Sequence, residues 1–173
     1  MEKVFDVVYA KNGKSPVKLA GYHALNSLRM EKGYLHWGHD IGVEENPFEA
    51  GVGFCVNLNK KNPFLGQAAL EEKKKSGLSK RKVNFALSNN DLLIYHNEPI
   101  YFDGKIVGEI SSGMYGFYLD KSLGMGYILN NDSYSIEEMM SHQKFEIEVA
   151  ETKYSAEGSI NCFYDPGREK ILV

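Results

Sequence analysis

Only two cysteines, Cys55 and Cys162, occur in 173 residues. They are too few for a disulfide framework or a zinc knuckle. Both read as small buried apolar residues in a reducing compartment. No apolar run approaches the ~20 residues that span a bilayer as a helix, and the N-terminal MEKVFDVVYAK is too charged for a secretory signal. An excess of positive charge is missing too. The formal net charge is −3, which gives no electrostatic footprint for nucleic acid. A Gly-x-Ser-x-Gly elbow, a Walker lysine loop and a dinucleotide glycine pattern are all absent, so hydrolase and nucleotide-binding readings have nothing to rest on. The chain has no internal repeat and no low-complexity tract.

What remains is ordinary globular composition, 43% hydrophobic and 25% charged, in a length that fits one domain or one small domain with an appendage. Seventeen glycines and eleven tyrosines favour a body rich in strands and turns. Residues 2–11 carry Val4, Phe5, Val7 and Val8 against a charged face, a short amphipathic helix pattern with no capping residue ahead of it. Asn12-Gly13-Lys14-Ser15-Pro16 reads as a loop. A second helix is expected over 22–32, with Leu25 and Leu28 on one face and Gly33 as its stop. Two such helices need a sheet to pack on, and the rest of the chain offers them no obvious partner strands. Residues 54–58 read as a strand. Residues 66–75 read as a helix with three lysines in the last turn and Gly77 beyond it. That lysine run is a solvated helix end, since no aromatic or arginine residues interleave it.

From Lys82 the period changes to two, with Val83, Phe85 and Leu87 alternating with polar residues. Asp103-Gly104 between Ile100-Tyr101-Phe102 and Lys105-Ile106-Val107 is the strongest hairpin signal. Further strands are expected over 122–128, 145–149 and 161–164. Short strands with regular turns predict an antiparallel barrel or sandwich over residues 80–173.

Several residues have two readings. His36 and His39, followed by Asp40, have a spacing that a helix could turn into a metal-binding pair. The flanking Gly33 and Gly38 argue for a loop instead, with the histidines hydrogen-bonded to backbone. Arg29 and Glu31 read locally as structural charges tying a helix end to nearby loops, and alternatively as polar contacts at the edge of a ligand site. Trp37, the lone tryptophan, reads as a packing residue beneath its loop rather than a stacking platform. Ser111-Ser112-Gly113 reads as a structural turn rather than a phosphate loop.

The stretch from Leu19-Ala20-Gly21 through Arg29-Met30-Glu31-Lys32-Gly33 matches a Gly-x-x-Ala-x-x-Ser-Leu-Arg-x-Glu-x-Gly pattern. Asn46-Pro47-Phe48-Glu49-Ala50-Gly51, Asn57-Leu58-Asn59-Lys60 and Phe64-Leu65-Gly66-Gln67-Ala68-Ala69-Leu70 follow in order. Weaker matches occur at residues 104–113, 123–128 and 163–166. This ordered series resembles the glycine cleavage T-protein (aminomethyltransferase) family. Leu25 stands where T-proteins carry an arginine, and Tyr34-Leu35-His36-Trp37-Gly38-His39-Asp40 replaces their usual Tyr-Gly-Asn-Asp. Both departures look like the dimethylglycine/sarcosine dehydrogenase branch.

The resemblance implies an α+β fold: the C-terminal fragment of a folate-binding aminomethyltransferase core over residues 1–78, followed by a small antiparallel β-barrel over 79–173. It implies tetrahydrofolate-dependent one-carbon transfer in the full-length protein, with cofactor contacts from Arg29, Glu31, Trp37 and Tyr164. The family's catalytic aspartate has no counterpart here, so no catalytic or metal-binding residue is assigned, and any FAD belongs to a missing N-terminal domain. The folate site is expected to be incomplete and the fragment inactive by itself. The missing N-terminal portion or a second copy of the chain is the expected partner. The expected compartment is the cytoplasm, or the mitochondrial matrix in a eukaryote. A non-catalytic folate-binding or regulatory module of the same fold is the alternative.

Overall fold

The computed structural model describes residues 1–10 and 18–172. The loop expected at 12–16 and the last residue of the first expected helix, Lys11, lie outside them. Three helices come first: α1 (Glu2–Ala10), α2 (Tyr22–Lys32) and α3 (Gln67–Ser76). Six strands follow: β1 (Lys80–Leu87), β2 (Pro99–Phe102), β3 (Lys105–Gly116), β4 (Lys121–Leu129), β5 (Phe145–Val149) and β6 (Thr152–Ser159), with α4 (Ile136–His142) between β4 and β5. The strands close an antiparallel barrel in the order β1-β4-β3-β2-β5-β6. The architecture is α+β.

The period-two pattern explains the barrel. Val83, Phe85 and Leu87 point inward from β1 and are buried together with Ile100, Phe102, Ile110, Ile128, Phe145 and Ile147. Three rings organise this core: Phe145 meets Phe85 edge-on at 5.4 Å and Phe102 at 5.1 Å. Closing so small a barrel brings backbones close together. A Cβ on Gly108 would overlap the Tyr127 carbonyl, and one on Gly126 the Glu109 carbonyl. The register shifts between Ile110 and Ser112, a bulge that bends β3. Helix α4 is fixed by a capping box, in which Ser135 accepts from the Glu138 N–H and Glu138 accepts from the Ser135 N–H. Its Ile136 and Met139 join the core.

A smaller core lies outside the barrel wall. Ala86, Leu123 and Met125 meet Met30 of α2, with Leu35 and Phe163 packed alongside. Gly33 ends α2 in the left-handed region (φ 68°), and its N–H bonds the Met30 carbonyl.

Several expectations need correction. Residues 54–58 form no strand. Gly53–Cys55 is a single 3-10 turn, and Asn57 Oδ1 then accepts from the Asn59 N–H in a local turn. Among the described residues no strand pairs with them. Residues 161–164 are a loop, and the last strand is β6. The turn before it, Ala150-Glu151, has both residues at positive φ (49° and 64°). It makes a hairpin without the Asn-Gly or Asp-Gly signal that usually announces one. Cys55 is exposed and Cys162 half-buried, so neither is a core residue. Ser111, Ser112 and Gly113 lie inside β3 rather than in any loop. Trp37 is 67% exposed and does not pack beneath its loop. Among the described residues no helix is long and apolar enough to cross a membrane.

Candidate functional site

Helix α2 sits on the barrel with its polar side inward. Ser27 and Glu31 are buried, while Tyr22, Leu25 and Leu28 face out. The reason lies in the β3–β4 connection, whose backbone amides need acceptors. Glu31 Oε1 accepts from the N–H groups of Tyr118 (2.7 Å) and Leu119 (3.1 Å). Ser27 Oγ donates to the Tyr115 carbonyl (2.8 Å) and accepts from the Phe117 N–H (3.3 Å). The helix is thus anchored by charge and hydroxyl groups together with Met30, while Tyr22, Leu25 and Leu28 stay exposed.

Arg29 is held from three directions. It donates to Asn26 Oδ1 (3.0 Å), to Asp40 Oδ2 (2.9 Å) and to Ser112 Oγ (3.1 Å). The Asp40 side chain has no exposed surface, and it also accepts from the His36 N–H (2.8 Å) and Ser111 Oγ (2.6 Å). Tyr127 donates its hydroxyl proton to the Asp40 carbonyl (2.7 Å), and burial pushes the ionisation of that phenol well above its usual range. A carboxylate with three donors around it locks the 34–41 loop onto the barrel. Within that loop Trp37 and Ile41 form an isolated bridge around a turn containing Gly38 (φ 87°). The segment is therefore not helical. The His36 and His39 rings stack at 4.8 Å. Among the described residues no group of three or more His, Cys, Asp or Glu is placed to hold a metal ion.

Beyond the end of α2, Lys32 Nζ reaches Asp165 Oδ2 (3.0 Å) and the Asp165 carbonyl. Burial pushes the Asp165 carboxyl up, but the bond from Lys32 and the backbone donors of 169 and 170 outweigh it, and the net shift is downward. This ion pair and the bond from the Tyr164 N–H to the Glu31 carbonyl (3.0 Å) bring the 160–170 segment against the helix. Tyr164 meets Tyr118 edge-on at 5.0 Å, and the Lys170 ammonium lies over both rings, at 5.2 and 5.5 Å.

The result is an open cleft of about 730 Å³ between the outward face of α2 and this tyrosine pair. Tyr22, Leu25, Leu28 and Tyr34 form its apolar side, with Arg29, Glu31 and Lys32 at the helix side of its lining. Of the four residues singled out in the sequence, Arg29, Glu31 and Tyr164 line this cleft, and Trp37 lies outside the lining. Tyr118 carried no sequence signal, and Lys32 and Asp165 entered only inside longer matched segments, with no role assigned. Asp40 entered as the tail of a histidine motif and as the end of the 34–40 family segment, with no role assigned, although its part in the structure is to hold Arg29. A wide aromatic and aliphatic wall with a few convergent polar groups suits a flat ligand with polar edges.

Two family models match the chain. The glycine cleavage T-protein C-terminal barrel domain covers residues 80–165, and the GCVT N-terminal domain covers residues 1–60. The chain is 36% identical over 168 residues to 4-methylaminobutanoate oxidase (formaldehyde-forming) of Paenarthrobacter nicotinovorans, a match spanning 97% of this chain and 20% of that one. It is 31% identical over 169 residues to the mitochondrial sarcosine dehydrogenase of Homo sapiens, spanning 97% of this chain and 18% of that one. Among solved structures, the glycine cleavage system aminomethyltransferase T from Bartonella henselae superposes with a TM-score of 0.70 at 24% identity, over 85% of this chain and 39% of that one. That likeness supports the fold. The chain therefore spans about a fifth of the length of these two curated relatives. With both family models matched in order along the chain, and the closed barrel beneath the second of them, it belongs to the glycine cleavage T-protein family.

Proposed function

We propose that this chain supplies one wall of a tetrahydrofolate site in a one-carbon transfer protein of the dimethylglycine/sarcosine dehydrogenase type. The observation that carries the reading is the inverted orientation of α2, which buries Glu31 and Ser27 and offers Tyr22, Leu25 and Leu28 to an open cleft faced by Tyr118 and Tyr164. Aromatic walls hold a flat ring by stacking, and the few polar groups fix its orientation. Arg29, Glu31 and Tyr164 contribute from the cleft, and Trp37 from the exposed loop beside it.

One-carbon transfer also needs a carboxylate near the reacting amine and a pocket that excludes water. Glu31 is the one carboxylate in the cleft lining, and it is already occupied by two backbone amides. The catalytic carboxylate is therefore expected from another stretch of polypeptide, and FAD, where used, from a further domain. That polypeptide, or a second copy of the chain, would cover the outward faces of α1 and α2. Residues 1–78 are then a part of the folate-binding core and 79–173 its barrel.

The test is tetrahydrofolate binding followed through the emission of Trp37, the lone tryptophan. The expected result is weak binding to the chain alone, strengthened when upstream family sequence is supplied. Leu28→Glu and Tyr164→Ala should each weaken it at least tenfold. Unchanged binding in both variants would remove the cleft from the site. Transferase turnover by the purified chain alone would overturn its assignment as a non-catalytic wall.

A further inference from the structure

A second cavity, of about 450 Å³, lies on the other side of the end of α2, between the 50–54 loop and the 160–168 segment. It shares Lys32 and Tyr34 with the first cleft but has different chemistry. Lys82 of β1 lines it. In the alternation of β1, Lys82 falls with Asn84 and Ala86 on the outer face, where a lysine is expected to reach water. Instead the residue is 6% exposed, because α2 and the two loops cover that face.

The buried ammonium is short of partners. Among the described residues its one hydrogen bond runs to Asn84 Oδ1 at 3.0 Å, although an ammonium has three protons to donate. Among the described residues no carboxylate lies within ion-pair distance of Lys82. The charged groups around it are all engaged elsewhere or have the same sign. Asp40 is bonded to Arg29, Ser111 and the His36 amide. Lys32 is paired with Asp165. Glu49 takes the Ser79 hydroxyl and the Asn46 amide. Arg81 adjoins it in sequence, and its guanidinium is turned to the Phe48 carbonyl. Arg168 stands at the rim, over the Phe54 ring. The Cys162 thiol, also in the lining, bonds the Tyr164 carbonyl at 3.1 Å, and Tyr127 pairs with Lys82 across the β1–β4 ladder. Burial lowers the Lys82 amine to about 8, with the field of Asp40 acting against it and that of Arg81 adding to it.

We propose that this cavity is a binding site for a small carboxylate, with the Lys82 ammonium as its ion-pair partner. A buried cation in the wall of a cavity is the situation that an anionic ligand relieves. One positive charge at depth is neutralised by one carboxylate, whereas a phosphate dianion would leave a surplus negative charge in the same desolvated space. Asn84 positions the amine: its Oδ1 holds Nζ, while its Nδ2 is fixed by the Asn161 carbonyl at 2.9 Å. Arg168 at the rim supplies attraction toward the cavity mouth.

The experiment is a titration of the 173-residue chain with sodium acetate at constant ionic strength, in the absence of folate. It is read on the ¹⁵Nζ resonance of Lys82, identified by its loss in Lys82→Arg. A saturable shift is expected near pH 7, with the Lys82 titration moving above 8. Acetate affinity should fall about tenfold per pH unit above that value, because only the charged amine binds. Lys82→Arg should still bind acetate, measured calorimetrically, with a flat pH profile up to 10. Lys82→Met should not bind it. If Lys82→Met does not fold, the contrast between wild type and Lys82→Arg decides. A shift that chloride reproduces at the same ionic strength is charge screening and overturns the proposal, as does an arginine variant with the wild-type pH profile. Phosphate displacing acetate at lower concentration would overturn the carboxylate assignment. Because acetate is tested without folate, failure here leaves the aromatic cleft untouched.

Discussion

In the barrel, Phe85, Ile100, Phe102 and Ile147 have no exposed surface, whereas in the helices ahead of it Val4, Phe5, Leu25 and Leu28 are 50% to 65% exposed. The same kinds of side chain are inside in one region and outside in the other. The barrel closes on itself, so every inward position finds a neighbour within the same six strands. A short helix can cover only one stripe. In α2 that stripe holds Met30 together with Ser27 and Glu31, which the backbone groups of the β3–β4 connection engage, and Leu25 and Leu28 lie on the other side. Amphipathicity names a face, but which face meets the barrel is decided by whether the covering loop offers amides or methyl groups.

The sharpest test of this contrast is a pair of truncations. Phe85→Ala removes a ring that touches Phe145 in a fully buried core and should cost about 3–5 kcal/mol. Leu28→Ala should change stability by less than about 0.5 kcal/mol. Denaturant melts of the two variants measure both, and a comparable loss in each would erase the distinction between the regions. Amide exchange gives the same comparison without mutation. The slowest amides are expected in β1 and β4, and fast exchange throughout α1.

Lys82 tests the outer wall of the barrel, where a charge is buried instead of a methyl group. In the folded chain its amine titrates near 8, against an ordinary lysine value of 10.5. Between those values the unfolded chain holds the proton that the folded chain has released, so stability rises with pH. Relative to Lys82→Met, the wild type should gain up to about 3 kcal/mol between pH 8 and 10.5. The check is a pair of melts across that range in buffers free of carboxylates. A constant difference between the two proteins would mean that Lys82 is not desolvated.

Much of this arrangement was readable before any coordinates. The Asp103-Gly104 turn with its alternating flanks became β2 and β3, and Gly33 ended α2 where a left-handed glycine should. What escaped did so for physical reasons. Helix α4 has seven residues, too few to show a period, and its Ser135-x-x-Glu138 capping box, the one local signal it carries, went unread. Strand β6 follows a turn built from alanine and glutamate. At the site, Arg29 and Glu31 stood out through their motif, but their partners Ser112 and Tyr118 are 83 and 87 residues away, and no local pattern joins them. Lys82 was hidden because alternation gives a residue's face and says nothing of what lies over that face.

A smaller effect is expected from the polar anchor of α2. Glu31→Gln keeps the shape of the side chain but replaces a carboxylate that accepts from the two backbone amides of Tyr118 and Leu119 with a neutral amide. Hydrogen bonds to charged groups are worth about 1.5–3 kcal/mol, and the amide oxygen retains part of that, so the loss should be about 1–2 kcal/mol. The amides of Tyr118 and Leu119 should then exchange faster, while those of the barrel core do not. Uniform destabilisation with no local change would place α2 in one cooperative unit with the barrel.

The smallest change in stability, and the most informative about what the helices are for, is expected in α1. Its Val4, Phe5 and Val7 are each at least half exposed, and the Tyr9 ring stacks on Phe5 at 5.5 Å. Covering such a side chain is worth ~1.5–3 kcal/mol, and a contiguous exposed face of this kind drives association. Val4→Lys and Phe5→Glu should alter unfolding stability by less than about 0.5 kcal/mol, because both side chains are at least half exposed. They should still shift sedimentation at high concentration from self-associated species toward monomer. The wild type should show the opposite trend as concentration rises. A wild-type chain that stays monomeric at every concentration, with α1 protected from exchange, would show that the helix is stable with its apolar face in water. The contrast with the barrel would then reflect local helix stability, not a surface waiting to be covered.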